Sequence, residues 1–316
     1  MIAKRRLGRT DLMIAPMVLG GNVLGWTIDA KASFDVLDRF VAGGGDAIDT
    51  ADVYSRWAPG HVGGESERVL GDWMRARGNR AKLTIITKVG SDMGDGEKGL
   101  KGAYVERACE ASLKRLGVET IDLYLSHRPD DTPHEETLAA YAKLKAQGKI
   151  RWCGASNFSV GQLRAAEGAA ARAHRPRYEV LQPEYNLYDR AGFEAGLREL
   201  CVSQEIGVIV YFALAKGFLS GKYRSEADLS KSVRGGGVGA YLTPRGMRIL
   251  AALDQVAERH GTKPAEVALA WLMQATGVTA PIASATNAAQ ADSLTHALRL
   301  PLSASDVADL DAASRA

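Results

Sequence analysis

The sequence is poor in cysteine: three residues in 316, Cys109, Cys153 and Cys201, odd in number and far apart. A disulfide frame or a zinc knuckle needs paired or closely spaced thiols, so these three read as reduced structural residues. No uninterrupted apolar run is long enough to cross a bilayer, and the basic start MIAKRRLGRTDL is not followed by the apolar core of a secretion signal. The expectation is a cytoplasmic protein with no membrane partner. Charge of one sign is missing too: 40 Lys+Arg against 37 Asp+Glu leave a formal net charge of +3 and no basic block. Nucleic acid is therefore not expected as a partner. Low-complexity tracts, solenoid repeats and composition shifts are also absent, so residues 1–316 are read as one domain.

What is present is 46% hydrophobic content, enough for a sizeable core, distributed in short apolar runs that alternate with helical patterns. The runs are APMVLGG (15–21), DAIDTA (46–51), LTIITKVG (83–90), IDLYLSHR (121–128), RWCGASNF (151–158), EVLQPEYN (179–186), GVIVYFAL (207–214) and VTAPIAS (278–284). Between them lie amphipathic stretches such as KASFDVLDRFVAGGG, YVERACEASLKRLGV and PHEETLAAYAKLKAQGKI, with apolar residues at three-and-four spacing. Eight strands alternating with crossover helices predict an α/β fold, a closed (β/α)₈ TIM barrel; an open doubly wound sheet is the second choice. RRLGRTDLMIAP, ahead of the first barrel strand, predicts a short N-terminal β-hairpin at the barrel bottom, and Lys216 to Thr243 form the longest irregular stretch.

Strand parity then selects residues. Side chains alternate faces, so Ala47 and Asp49 share one side, as do Thr84, Ile86 and Lys88, and Leu123, Leu125 and His127. If that face is the inner one, Asp49, Lys88 and His127 meet at the C-terminal mouth, where barrel enzymes keep their chemistry, with Tyr54 in the loop above. Singly, each has an ordinary role: a cap, a solvated strand end, a packed histidine, a packed aromatic. Together they are a constellation. A buried lysine needs a partner, which Asp49 supplies, and its ammonium is expected to stabilise a nearby phenolate and bring Tyr54 down toward neutrality. Tyr54 is then a usable proton donor, and His127 can orient a substrate oxygen.

The ordered set IDTADVY, TKVG, LYLSHRPD, GASNF and GFLSGKY resembles the aldo-keto reductases across nearly the whole chain. The resemblance implies a (β/α)₈ enzyme that reduces a small-molecule carbonyl with NADPH, NADH being possible. It implies a catalytic tetrad of Asp49, Tyr54, Lys88 and His127, with Tyr54 as general acid. Ser156, Asn157 and Gln182 offer hydroxyl and amide groups for a nicotinamide carboxamide, the role such positions have in the family. Asn157 is equally a good turn residue, and Ser156 a good cap. By the same resemblance Tyr211 is the platform on which the nicotinamide stacks, and the loop with Leu214, Lys216, Gly217 and Lys222 embraces the pyrophosphate. Ser284, Thr286 and Gln290 fall at the adenosine end. In many relatives a cation stands at or beside Asn287, and acidic and amide residues follow near Ser293 and Leu294. Here these are missing; Asn287 can instead open a helix, and Arg234 can supply the charge from the long loop.

Other patterns are set aside. GGGVGA (235–240) follows polar SKSVR rather than a strand and is read as a flexible loop, not a dinucleotide fingerprint. GGNVLG has no Lys-Ser/Thr after it and is no P-loop, though Gly21 and Asn22 at the first strand end can line the cofactor site. His61, His127 and His134 include no His-x-His pair, and Lys88 would repel a divalent ion, so no metal is expected. Trp26, Trp57 and His61 are expected to wall a substrate pocket or to pack as a lid. The alternative function is a cofactor-binding, redox-sensing regulatory subunit of a channel or other partner with little turnover; in the family such subunits lack the histidine corresponding to His127.

Overall fold

The structure, a computed structural model, describes residues 2–94, 96–232 and 235–315. Strands β1 (Arg5–Arg6) and β2 (Met13–Ile14) pair antiparallel. They are followed by β3 (Val18–Gly20), β4 (Ala47–Asp49), β5 (Thr84–Val89), β6 (Ile121–Ser126), β7 (Ile150–Ser156), β8 (Val180–Gln182), β9 (Gly207–Val210) and β10 (Ala280–Ala283). All eight are parallel to their neighbours, and β10 closes on β3 to complete a (β/α)₈ barrel rather than an open sheet. Each barrel strand lies within one of the apolar runs, apart from the first residue of β7.

Helices α1 (Ala30–Ala42), α2 (Glu65–Arg77), α3 (Gly102–Leu116), α4 (His134–Ala146) and α5 (Val160–Arg172) make the first five crossovers. After β8 come α6 (Ala191–Glu194) and α7 (Leu197–Ser203), after β9 α8 (Pro244–His260) and α9 (Pro264–Gln274), and after β10 α10 (Ala288–Ala297) and α11 (Ala304–Ser314). Their ends follow local chemistry: Asp29 caps α1 by accepting from Ala32 N, and Ser159 and Gln162 form a reciprocal capping box on α5. Gly117 closes α3 at φ 63°, a left-handed conformation that glycine adopts without strain.

Strand parity sorts the core into two bodies. Leu19, Ile48, Ile85, Val89 and Tyr124 face outward into the layer beneath the helices, whereas Val18, Ala47, Ile86, Leu123, Leu125, Val180, Ile209 and Ala280 fill the interior. Leu7, Leu12 and Ile14 of the hairpin join the interior body, so the hairpin plugs the barrel bottom. Polar links fasten it there: Ala15 N donates to Asp46 Oδ1 at 2.8 Å, and Asp11 accepts from Trp152 Nε1 at 2.7 Å and Arg151 Nη2 at 2.9 Å. The hairpin thus covers the N-terminal end of the barrel, opposite the strand ends that carry Asp49 and Gln182.

The long stretch after β9 is more regular than its sequence suggests. It folds into short 3₁₀ segments at Ala215–Ser220, which is kinked at Lys216 and Gly217, Glu226–Lys231, Gly235–Gly237 and Gly239–Tyr241. Gly235 sits where a Cβ would lie 1.8 Å from Leu229 O, so close backbone approach explains a glycine that was read as loop flexibility.

Leu12 is 2% exposed and is one of the three hairpin side chains packed into the interior body. Leu12→Ala is expected to cost about 2–5 kcal/mol of stability, through lost transfer energy plus the cavity left behind. Urea unfolding of the two proteins checks this; a change under about 0.5 kcal/mol would mean that the hairpin does not seal the core.

Candidate active site

The site is assembled at the ends of three neighbouring strands and of β8, further round the barrel past the intervening β7. Asp49 ends β4, Lys88 lies one pleat higher on β5, His127 follows β6, and Gln182 ends β8, all on the inner face. Lys88 is fully buried and all three ammonium donors are used: Asp49 Oδ1 at 2.5 Å, Thr50 O at 2.7 Å and Tyr54 Oη at 2.8 Å. Tyr54 Oη thus accepts from Lys88 and reaches Asp49 Oδ1 only at 3.3 Å, a long contact that leaves its proton for a better acceptor. Asp49 is anchored from its other oxygen by Gln182 Nε2 at 2.7 Å.

The electrostatics correct one expectation. The Tyr54 phenol is not brought toward neutrality: burial first, then the Asp49 charge and hydrogen bond, hold it well above its ordinary value. Lys88 favours phenolate, but its charge is matched by Asp49 at 2.5 Å, so the pair presents little net field to offset desolvation. Burial likewise pulls the Lys88 ammonium down, against Asp49. His127 is held well below its ordinary value by burial, Lys88 and Arg128, so its imidazole is neutral at pH 7. Ser91 Oγ lies 3.0 Å from His127 Nδ1; when Ser91 donates, the ring proton is on Nε2. Tyr54 and His127 face each other with ring centroids 6.1 Å apart. Neutral donors of both kinds therefore meet at one mouth. Ser91 and the Thr50 carbonyl were not singled out in the sequence, and no local pattern around them marks these roles.

The residues expected to hold a carboxamide are brought together but partly engaged. Ser156 Oγ donates to Gln182 O at 2.8 Å, Asn157 Nδ2 to His127 O at 2.9 Å and Ser156 Oγ at 3.1 Å, and Tyr211 Oη to Asn157 Oδ1 at 2.7 Å. Asn157 is in the left-handed region, φ 63°, the turn role its residue type allows. Gln182 Oε1 accepts no hydrogen bond among the described residues, so one amide oxygen at the mouth is free for a ligand donor.

Around this centre, Trp26 and Trp57 pack edge to face at 5.3 Å, and Trp57 meets Tyr54 at 5.9 Å. Only Trp57 of the two indoles touches the phenol, Trp26 reaching it through Trp57, and no ring contact or hydrogen bond among the described residues joins His61 to it. Asn22 and Ser284 meet across the β3–β10 seam, Ser284 Oγ donating to Asn22 Oδ1 at 2.5 Å, and Gly21 leaves no room for a side chain against Asp49 O and Ser66 Oγ. Leu214 is half-buried against the core, and Phe212, Ala215 and Lys216 have φ of 51°, 46° and 58°, with Gly217 at 104°. Three non-glycine residues in that region are a strained run, the kind held at ligand-binding turns. The Lys216 and Lys222 ammonium groups lie over the Phe212 and Tyr223 rings at 5.5 and 4.8 Å. At the far end Asn287 is the N-cap of α10, accepting from Gln290 N at 2.9 Å, and Thr286 donates from N and Oγ1 to Gln290 Oε1 at 2.8 and 3.0 Å. Arg234 lies outside the described residues.

Behind Lys88 is a second charged group that the sequence reading did not pick out. Glu67, fully buried on α2, accepts from Arg115 Nε at 2.6 Å and Thr87 Oγ1 at 2.6 Å. Asp52, 1% exposed on the turn between Asp49 and Tyr54, has neither carboxyl oxygen hydrogen-bonded among the described residues. Burial first, then the Glu67 charge, pushes its carboxyl up to about 8, against the pull of Arg115 and Lys88.

The sequence model of the Aldo/keto reductase family matches residues 16–315. The uncharacterized oxidoreductase YrpG of Bacillus subtilis (strain 168) is 32% identical over 287 residues, 87% of this chain and 85% of that protein. The aldo-keto reductase str7 of Strobilurus tenacellus is 31% identical over 225 residues, 69% of this chain and 64% of its own length. A probable voltage-gated potassium channel subunit beta of Arabidopsis thaliana is 30% identical over 295 residues, covering 90% of this chain and 88% of that protein.

The raised Asp52 carboxyl gives the site a pH signature. An acid protonated in the folded chain and ionised in the unfolded one adds stability that is complete below about pH 4 and lost progressively as pH rises to about 8. Asp52→Asn, which cannot ionise, is expected to be more stable than the native chain by on the order of a few kcal/mol at pH 8, with a smaller gain at pH 5. Urea midpoints at the two values check the sign; a gain that does not change with pH would show that Asp52 is ionised in the fold.

Proposed function

The chain belongs to the aldo/keto reductase family, and from that premise we propose that it reduces an aldehyde or ketone to an alcohol with a nicotinamide cofactor, NADPH first and NADH second. The observation that carries this reading is the Lys88 ammonium donating at once to Asp49, Thr50 O and Tyr54 Oη, which fixes the phenol oxygen at the barrel mouth beside the charge that would stabilise it once its proton has left. When bound, the cofactor supplies hydride to the carbonyl carbon. The protein's part is to hold the carbonyl oxygen between Tyr54 and a neutral His127, and to deliver the phenol proton to it. Tyr54, once ionised, is stabilised by Lys88 at 2.8 Å, and Asp49 keeps that ammonium in place.

The chain's own groups fit a nicotinamide dinucleotide: the unfilled acceptor of Gln182, the hydroxyl and amide of Ser156 and Asn157, the Tyr211 ring, and the strained amides and cations from Leu214 to Lys222. Asn287 is engaged as a helix cap, so at the adenosine end the preference for NADPH rests on the charge of Arg234, while Lys216 and Lys222 serve the pyrophosphate that both cofactors share. Trp26 and Trp57 beside the phenol suit carbonyls with apolar or aromatic substituents. We take residues 1–316 as one catalytic domain and the cytoplasm as its place, in keeping with three buried free thiols.

The Arabidopsis relative's name supports a second reading, a cofactor-binding regulatory subunit with little turnover. A complete set of Asp49, Tyr54, Lys88 and His127 favours the enzyme. Tyr54→Phe separates the two: it is expected to lower kcat by about 10²–10⁴ while leaving cofactor affinity nearly unchanged. The check is NADPH and NADH consumption with a panel of aldehydes and ketones beside a binding titration. Equal turnover in the variant would overturn the assignment of the acid; binding without turnover in the native protein would favour the regulatory reading.

A further inference from the structure

Gln182 stands between two chemistries. It is 2% exposed, and its side-chain amide can face Asp49 in only one orientation, since a carbonyl oxygen against a carboxylate would repel. Nε2 therefore donates to Asp49 Oδ2 at 2.7 Å, the only hydrogen bond which that oxygen makes among the described residues; Oδ1 is taken by Lys88 and Tyr54. The backbone of Gln182 is held as well: its carbonyl accepts from Ser156 Oγ at 2.8 Å and Asn157 N at 3.4 Å. Oε1 of the same planar group has no donor among the described residues.

We propose that Gln182 is a positioning residue that couples a carboxamide N–H bound at its Oε1 to the charge that Asp49 presents to Lys88 and Tyr54. The coupling rests on the nicotinamide reading above. An amide whose oxygen accepts a hydrogen bond becomes a stronger donor at nitrogen, and one whose nitrogen donates to a carboxylate becomes a better acceptor at oxygen. A ligand N–H on Oε1 thus tightens the Gln182–Asp49 bond and draws negative charge toward Oδ2, away from Oδ1. Asp49 is among the groups that hold the phenol proton on Tyr54, so cofactor occupancy eases release of that proton. Tyr54 also faces Lys88, Asp52, His127 and Tyr211, and to none of these is the Gln182 side chain hydrogen-bonded. The link therefore runs through one carboxylate.

A binding cycle tests the link without requiring turnover. NADPH, whose nicotinamide ring is uncharged, is titrated by tryptophan fluorescence into the native protein, Asp49→Asn, Gln182→Met and the double variant, with 2′,5′-ADP as a ligand lacking the carboxamide. Asp49→Asn is expected to weaken NADPH at least about threefold in the native background and less than about 1.5-fold with Gln182→Met, while 2′,5′-ADP binding stays unchanged in all four. An equal effect of Asp49→Asn in both backgrounds would mean that Asp49 acts through space and would overturn the proposal. Should Asp49→Asn not fold, kinetics of Gln182→Met decide: the proposal expects kcat to fall at least about tenfold with the alkaline limb of its pH profile moved, whereas a higher KM for NADPH with unchanged kcat overturns it. Failure of the parent reading has a different signature. NADPH that binds yet is not consumed with any carbonyl removes the reductase while the cycle still decides the coupling, and a native protein that does not bind NADPH overturns both.

Discussion

Everything at the barrel mouth depends on one buried ion pair. Lys88 and Asp49 are 0% and 2% exposed, and neither can be held there without the other, because an unpaired charge at that depth costs several kcal/mol. Coulombic attraction alone does not repay the desolvation of both ions. The remainder comes from completing their hydrogen bonds: Thr50 O and Tyr54 Oη take the other two ammonium donors, and Gln182 Nε2 takes the second carboxylate oxygen. Tyr54 and Gln182 are thereby part of what makes the pair tolerable, so the groups read as chemical are also structural.

The same pairing explains why the phenol is not acidic in this site. An unmatched lysine beside Tyr54 would favour phenolate strongly; a lysine neutralised at 2.5 Å favours it little, and burial then dominates. A reductase has use for that balance. The acid has to remain protonated until negative charge develops on the substrate oxygen, and only then does a fixed ammonium become more valuable to the phenolate than to Asp49. His127, kept neutral by burial and by Lys88, can donate to the same oxygen without adding a second positive charge to the cavity.

Strand parity made much of this legible in the sequence. Asp49, Lys88 and His127 fall on the inner face because each is an even number of residues from a small or aliphatic neighbour that fills the barrel, and the hairpin's place at the bottom followed from its apolar pieces. What parity does not carry is distance between strands that are remote in the chain. Gln182 lies 133 residues from Asp49, and Arg115 48 from Glu67; neither contact has a local signature. The direction of the Tyr54 shift was missed for a related reason: the sequence named the neighbours, but the sign depends on how closely Asp49 cancels Lys88. Asn287 was legible in part, since its residue type suits a helix cap, and as N-cap its side chain is engaged by Gln290 N.

The two ends of the proposed cofactor site differ in how they are prepared. Left-handed backbone at Phe212, Ala215 and Lys216 costs on the order of 1–3 kcal/mol each and must be held by its surroundings. Phe218, fully buried, stacks on Tyr241 at 5.5 Å and 18°; Tyr223 Oη and Ser232 Oγ lie 2.6 Å apart; Arg224 clamps Asp254 with two bonds at 2.7 and 2.8 Å. These contacts fix the chain that follows the strained turn before any ligand arrives, so a pyrophosphate would meet amides already ordered and bind with less entropy cost of arranging them. The proposed adenosine end offers a helix N-terminus where Gln290 N is taken by the Asn287 side chain and the Gln290 side-chain oxygen by Thr286. On the nicotinamide reading, affinity is therefore concentrated at the pyrophosphate and carboxamide, which both cofactors share, and discrimination between them is left to the few groups that can reach a 2′-phosphate.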